Sequence, residues 1–220
     1  MLKPHFQKWL GLLVWLGCSA VWAGSYDDYF KAIAQDDAPA LTALLQRGFD
    51  PNTVNPAGLH GLLLAVKEPS PKVARVLIGW PKTQVESRNA ADESPLMLAA
   101  LAGDLELCQL LIDKDADVNK PGWTALHYAA TNGHLPVLRL LLDENAYIDA
   151  ASPNGTTPLM MAAHYGSAAA VKLLLEAGAD PMLKNMKNMT ALDFALRGSR
   201  LDSAELIRAF IRARHAKGTW

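Results

Sequence analysis

Glu93-Ser94-Pro95-Leu96-Met97-Leu98-Ala99-Ala100 is a stretch that this chain restates three times. The copies are Trp123-Thr124-Ala125-Leu126-His127-Tyr128-Ala129-Ala130, Thr156-Thr157-Pro158-Leu159-Met160-Met161-Ala162-Ala163 and Met189-Thr190-Ala191-Leu192-Asp193-Phe194-Ala195-Leu196. Their hydroxyl residues stand at 94, 124, 157 and 190, so the steps are 30, 33 and 33 residues. A fainter copy, His60-Gly61-Leu62-Leu63-Leu64-Ala65-Val66, lies 34 residues before the first. Recurrence at this period predicts a solenoid of stacked units, none of which hides its apolar face alone. A chain of that kind is expected to bind rather than to catalyse.

Within a unit the pattern is of two helices. Gly122 permits a tight turn and the Thr124 hydroxyl caps the first helix. Leu126, Ala129 and Ala130 follow at helical spacing, and Gly133 ends the helix in a left-handed conformation. After His134-Leu135-Pro136, a second helix carries Val137, Leu138, Leu140, Leu141 and Leu142. Asn145 then stands where the next unit has Gly178. Pro95 and Pro158 suit the first helical position, where the missing N–H costs nothing. Gly103 and Gly166 are expected to close first helices, and Val171, Leu173, Leu174 and Leu175 repeat the second-helix core. Cys108 falls in such a second helix, so a buried, inert thiol is expected.

The first 23 residues read differently. Lys3, His5 and Lys8 precede an apolar run from Trp9 to Leu16, and Cys18-Ser19-Ala20-Val21-Trp22-Ala23 supplies small residues for cleavage after Ala23. This is the pattern of a secretory signal peptide, too short for a comfortable transmembrane span. An uncleaved anchor and an acylated Cys18 are the alternatives. Cleavage would remove two of the 21 basic residues and leave the 22 acidic ones, a net charge of −3 with no basic field for nucleic acid. It would also leave Cys108 as a lone cysteine with no internal disulfide.

These residues closely resemble the ankyrin repeat, whose pattern G-x-T-P-L-H-x-A-A-x-x-G followed by V-x-x-L-L-x-x-G-A-D-x-N is matched by the units at Asp92, Gly122 and Gly155. Asp115-Ala116-Asp117-Val118-Asn119 and Gly178-Ala179-Asp180 supply the closing segment. The resemblance implies an all-α ankyrin repeat solenoid, helix-turn-helix units joined by short β-turns or hairpin loops. The expected order is a signal peptide over 1–23 and a repeat domain over 24–220. Its parts are an N-terminal cap over 26–55, an irregular repeat over 56–89, repeats over 90–119, 120–152 and 153–185, and a C-terminal cap over 186–220. Lys120-Pro121 shortens one connector, and Pro69-Ser70-Pro71 and Gly79-Trp80-Pro81 make the early repeat irregular. In the last unit Leu206, Phe210 and Ile211 are expected on one face and Arg208, Arg212 and Arg214 on the other.

The resemblance also selects a binding face, formed by turn tips and the exposed side of each first helix. Position by position it picks Leu59, Lys67, Glu68, Glu93, Leu101, Ala102, Trp123, Thr131, Asn132, Thr156, His164, Tyr165, Met189 and Arg197. The turn residues Lys120, Pro153, Asn154, Met186 and Lys187 lie beside them. Leu59, Leu101, Trp123, Tyr165 and Met189 would form an apolar line with Trp123 and Tyr165 at its centre.

No catalytic set is legible. His60, His127, His134, His164 and His215 form no metal-ligand pair, and neither a P-loop nor a nucleophile elbow occurs. No cofactor or metal is expected. The leading reading is a non-catalytic exported adaptor, periplasmic or secreted and resembling bacterial ankyrin proteins of that compartment. It would bind another protein through its concave face as inhibitor, immunity protein or chaperone. It would be a monomer with capped ends, without nucleic acid and without membrane insertion after cleavage. The alternative is a small-ligand binder or enzyme with a site in the repeat groove.

Overall fold

Three of the first helices begin where a hydroxyl residue in extended conformation turns its side chain onto the backbone ahead. The Thr124 hydroxyl meets the His127 ring instead, and His60 starts its helix without a side-chain cap. Ser94 Oγ accepts the N–H of Met97, Thr157 Oγ1 that of Met160, and Thr190 Oγ1 that of Asp193. The third residue returns a bond in every case, so two orphan donors are satisfied at once. The returning acceptor differs: Met97 Sδ, His127 Nδ1, Met160 Sδ and an Asp193 carboxylate oxygen each take the hydroxyl residue's own N–H. One position therefore does one job with three chemistries.

The structure, a computed structural model, describes residues 24–216. The expected signal peptide at 1–23 lies outside them. Helices are numbered α1 to α12 in chain order, α1 being the helical turns over 24–34. Two compact units divide between Gln84 and Val85. The first holds α1, α2 (Ala38–Gln46), α3 (Gly61–Lys67) and α4 (Pro71–Gly79). The second holds four pairs: α5 (Pro95–Ala102) with α6 (Leu105–Ile112), α7 (Ala125–Asn132) with α8 (Leu135–Asp143), α9 (Pro158–His164) with α10 (Ala168–Glu176), and α11 (Ala191–Arg197) with α12 (Leu201–Ala216). Among the described residues there is no β-strand, only a single bridge between Val54 and His60.

In the second unit the odd helices pack in one row and the even helices in another. The odd row is lined by Leu96, Ala99, Ala100, Leu126, Ala129, Ala130, Leu159, Ala162, Ala163, Ala191 and Ala195, all buried. Alanine pairs let these short helices approach closely, and the larger even-row residues Leu107, Leu111, Val137, Leu138, Leu141, Val171, Leu174 and Ile207 fill the layer behind.

Side chains in the turns stitch each repeat to the next. Glu86 Oε1 accepts the N–H of Asp117, Asn119 Oδ1 that of Tyr147, and the Asp149 carboxylate that of Asp180. Within the first unit Asn52 Oδ1 takes the N–H of Gln84 in the same way. Burial raises the Glu86 and Asp149 carboxyls above the ordinary range, while the N–H each receives pulls the other way.

Three expectations need adjustment. Gly103 and Gly133 do close their helices left-handed, at φ 74° and 68°. Gly166 does not: α9 has Tyr165 as its C-cap, and Gly166 is buried so close to the backbone of α7 and of α9 itself that a Cβ there would meet the carbonyl oxygens of Ala130 and Ala162. In α12 the buried face is Ser203, Ala204 and Ile207, whereas Leu206, Phe210 and Ile211 stay partly exposed and Arg214 lies over the Phe210 ring. The shortened connector at Lys120-Pro121 is closed by the lysine itself, as described next. Cys108 is fully buried and its thiol is pushed up to about 12, mainly by desolvation.

Candidate functional site

The candidate face is built from the exposed sides of the odd helices and the turns before them. In the first unit Leu59 is half-buried beside its turn, and Lys67 and Glu68 are exposed at the end of α3. In the second unit the candidates run through successive repeats, tied by bonds one repeat apart. Glu93 accepts the Tyr128 hydroxyl and the Asn89 amide, each at 2.7 Å. Burial, followed by this carboxylate, drives the Tyr128 hydroxyl far above its usual range. The Leu101 carbonyl accepts Asn132 Nδ2 at 2.8 Å and His134 Nε2 at 3.0 Å. His164 Nδ1 donates to the Phe194 carbonyl at 2.9 Å, and Arg200 donates to the carbonyl of Tyr165 at 2.8 Å.

Exposure separates these candidates. Asn132, Asn154 and Arg197 are exposed, and Tyr165 is 54 % exposed with its ring edge-on to His164 at 4.1 Å. Leu101, Thr131, His164 and Met189 are half-buried; the Thr131 hydroxyl donates to the His127 carbonyl, and Arg197 reaches the Met189 sulfur at 3.9 Å. Trp123 is half-buried, with its ring 5.1 Å from that of His127 and steeply inclined to it.

Two selected residues are not contact groups. Thr156 is 2 % exposed; its N–H goes to Ser152 and its carbonyl to His127, so the position serves the frame. The Lys120 side chain is only 8 % exposed. Its ammonium pairs with Asp92 and donates to the carbonyls of Pro121 and Trp123 within the shortened connector. The same charge, through that bond, holds the Asp92 carboxyl below its usual range. Arg88 joins this cluster beside Glu86, Asp92 and Asp117.

Sequence reasoning missed one column of the face. Leu98, Tyr128, Met161 and Phe194 stand four residues after each hydroxyl and are half-exposed, one per odd helix. Their fixed register and two aromatics were the available signal.

His127 has a different part. It is fully buried, and its Nδ1 accepts the Thr124 N–H, which leaves Nε2–H to donate to the Thr156 carbonyl at 2.9 Å. Desolvation lowers its pKa to about 4, so it is neutral in the fold. Among the described residues no three His, Cys, Asp or Glu side chains are grouped as a metal ion would require. A groove of about 450 Å³ between α8 and α10, and another of about 480 Å³ lined by Phe49, Asn52 and Trp80, contain none of the candidate residues in their lining. No described helix is long and apolar enough to cross a membrane.

The family model described as ankyrin repeats matches in three copies, over residues 30–120, 62–152 and 144–214. Nuclear factor NF-kappa-B p105 subunit of Gallus gallus is 32 % identical over 71 % of this chain and 17 % of its own length. Ankyrin repeat and SAM domain-containing protein 6 of Mus musculus is 36 % identical over 58 % of this chain and 14 % of its own. The chain thus spans less than a fifth of these relatives. A chain of the solved complex of the predatory endopeptidase Bd0816 from Bdellovibrio bacteriovorus with the immunity protein Bd3460 superposes with a TM-score of 0.72 at 28 % identity. That match covers 83 % of this chain and 97 % of the other.

Proposed function

The chain belongs to the ankyrin repeat family, and from that premise we propose that it is a non-catalytic partner of an exported protein, held on the exposed side of its odd helices. Ankyrin repeats are protein–protein interaction modules. The finer reading is an inhibitor or immunity protein acting on an enzyme in a periplasmic or secreted compartment. One observation carries it: the superposition, over nearly the whole of the other chain, on a member of a complex between an endopeptidase and its immunity protein. We take the matching chain to be the immunity protein, since an all-helical stack of repeats is what the likeness consists of. The apolar run and small residues before Gly24 support export. The polar groups of the candidate face are bonded to neighbouring repeats rather than converging on one centre, which supports surface recognition over catalysis.

The test is a titration. Purified protein is added to endopeptidase activity in the exported fraction of the source cell. A dose-dependent fall that saturates at equimolar protein supports an immunity function. Unchanged activity despite a co-purifying enzyme would reduce the reading to an adaptor or chaperone.

A further inference from the structure

The candidate face is charge-graded along the second unit. At its first repeat, cations are compensated: Lys120 is paired with Asp92, and Arg88 lies against Glu86, Asp92 and Asp117. At its last repeat they are not. Lys187, Arg197 and Arg200 make no ion pair among the described residues, and Lys184 sits near Asp193, whose carboxylate is already taken by the Thr190 N–H and hydroxyl. Arg197 rests on the Met189 sulfur, and Arg200 is fixed beside Tyr165 through the carbonyls of His164 and Tyr165. The same two repeats also carry exposed apolar groups: Tyr165 at 54 %, and Met186 at the turn tip at 80 % exposed.

Uncompensated cations in the same repeats as an aromatic ring and a thioether favour one kind of occupant, because like charge is rejected and a bare apolar segment leaves the cations unmatched. We propose that the inner face of the last two repeats, centred on Tyr165, Met189 and Arg197 with Lys187 at its tip, is a docking surface for an acidic segment of a partner protein. The carboxylates of that segment would flank an aromatic or aliphatic anchor. Met186 and Tyr165 take the anchor, as flexible thioethers and rigid rings do at interfaces. Lys187 and Arg197 take the carboxylates. The inference rests on the protein-binding reading above and names the chemistry of the partner at that face.

The probe is a fluorescein-labelled random copolymer of glutamate and tyrosine, titrated by anisotropy against the full chain at about 50 mM and about 200 mM salt. Comparison probes are a glutamate homopolymer, a lysine–tyrosine copolymer and a DNA oligonucleotide. The expected result is saturable binding of the glutamate–tyrosine copolymer that weakens on adding salt. It should fall on the order of tenfold or more in Lys187→Glu/Arg197→Glu. Arg139→Glu/Lys172→Glu, the same charge change on the even helices, should leave binding within about twofold. Circular dichroism checks that both variants fold. Tyr165→Ser should weaken the copolymer and not the homopolymer. The proposal is overturned by absent binding, by equal loss in both double variants, or by equal binding of the homopolymer or DNA, which would mark a general polyanion site. Failure here with inhibition intact would sink the acidic partner and leave the immunity reading standing.

Discussion

His127 Nε2 donates to the carbonyl of Thr156, 29 residues ahead, while its Nδ1 receives the N–H of Thr124 behind it. One neutral ring thereby fixes the start of its own helix and the turn of the next repeat. Protonation would turn Nδ1 from acceptor to donor and break the bond from the Thr124 N–H.

The consequence is a pH dependence. The folded pKa of about 4 lies below the ordinary 6.5, so the unfolded chain binds the proton first as pH falls. Stability from this group is present above about pH 6.5 and declines through the window down to about 4, by roughly 2–3 kcal/mol. Urea unfolding at pH 7.5 and pH 4.5 measures it. In His127→Gln, which has no group titrating there, the slope in that window should shrink.

Gly166 gives a second expectation. A methyl group at this site would meet the carbonyl oxygens of Ala130 and Ala162, neither of which can yield without moving a helix. Gly166→Ala should cost on the order of 3 kcal/mol or more. Gly79→Ala, at the end of α4 with nothing within 4 Å, should instead stabilise by about 0.5–1 kcal/mol. Thermal melts of the two variants should move in opposite directions.

The shortened turn depends on Lys120. Lys120→Ala strips donors from the carbonyls of Pro121 and Trp123 and should destabilise by roughly 1–3 kcal/mol. Losing that ammonium should also raise the Asp92 carboxyl, a change that carbon-detected NMR titration reads directly. Lys120→Arg should restore only part, since a planar fork does not reproduce three bonds from one ammonium.

Legibility was uneven for physical reasons. The helix pairs were readable because hydroxyl caps, paired alanines and ending glycines are local signals repeated at one period. Gly166 misled because a glycine required by close approach and one required by a positive φ look alike in sequence. Lys120 was read as a contact residue because nothing local shows that a lysine bridges Asp92, Pro121 and Trp123 across a missing connector. Thr156 followed the consensus position, yet its turn folds inward onto His127. The column through Tyr128 and Phe194 needed only the same register counted one residue group further.

Partner binding on the exposed side of the odd helices is tested by capture with a face-directed variant. Immobilised wild-type protein and Tyr165→Ala/Asn132→Asp, both verified as folded by circular dichroism, are exposed to the exported fraction of the source cell and the captured enzyme is quantified. The expected result is one stoichiometric partner held by the wild type, with binding weakened on the order of tenfold or more in the variant. Equal capture by both, with loss instead in Arg139→Glu/Lys172→Glu on α8 and α10, would place recognition on the even helices and contradict it.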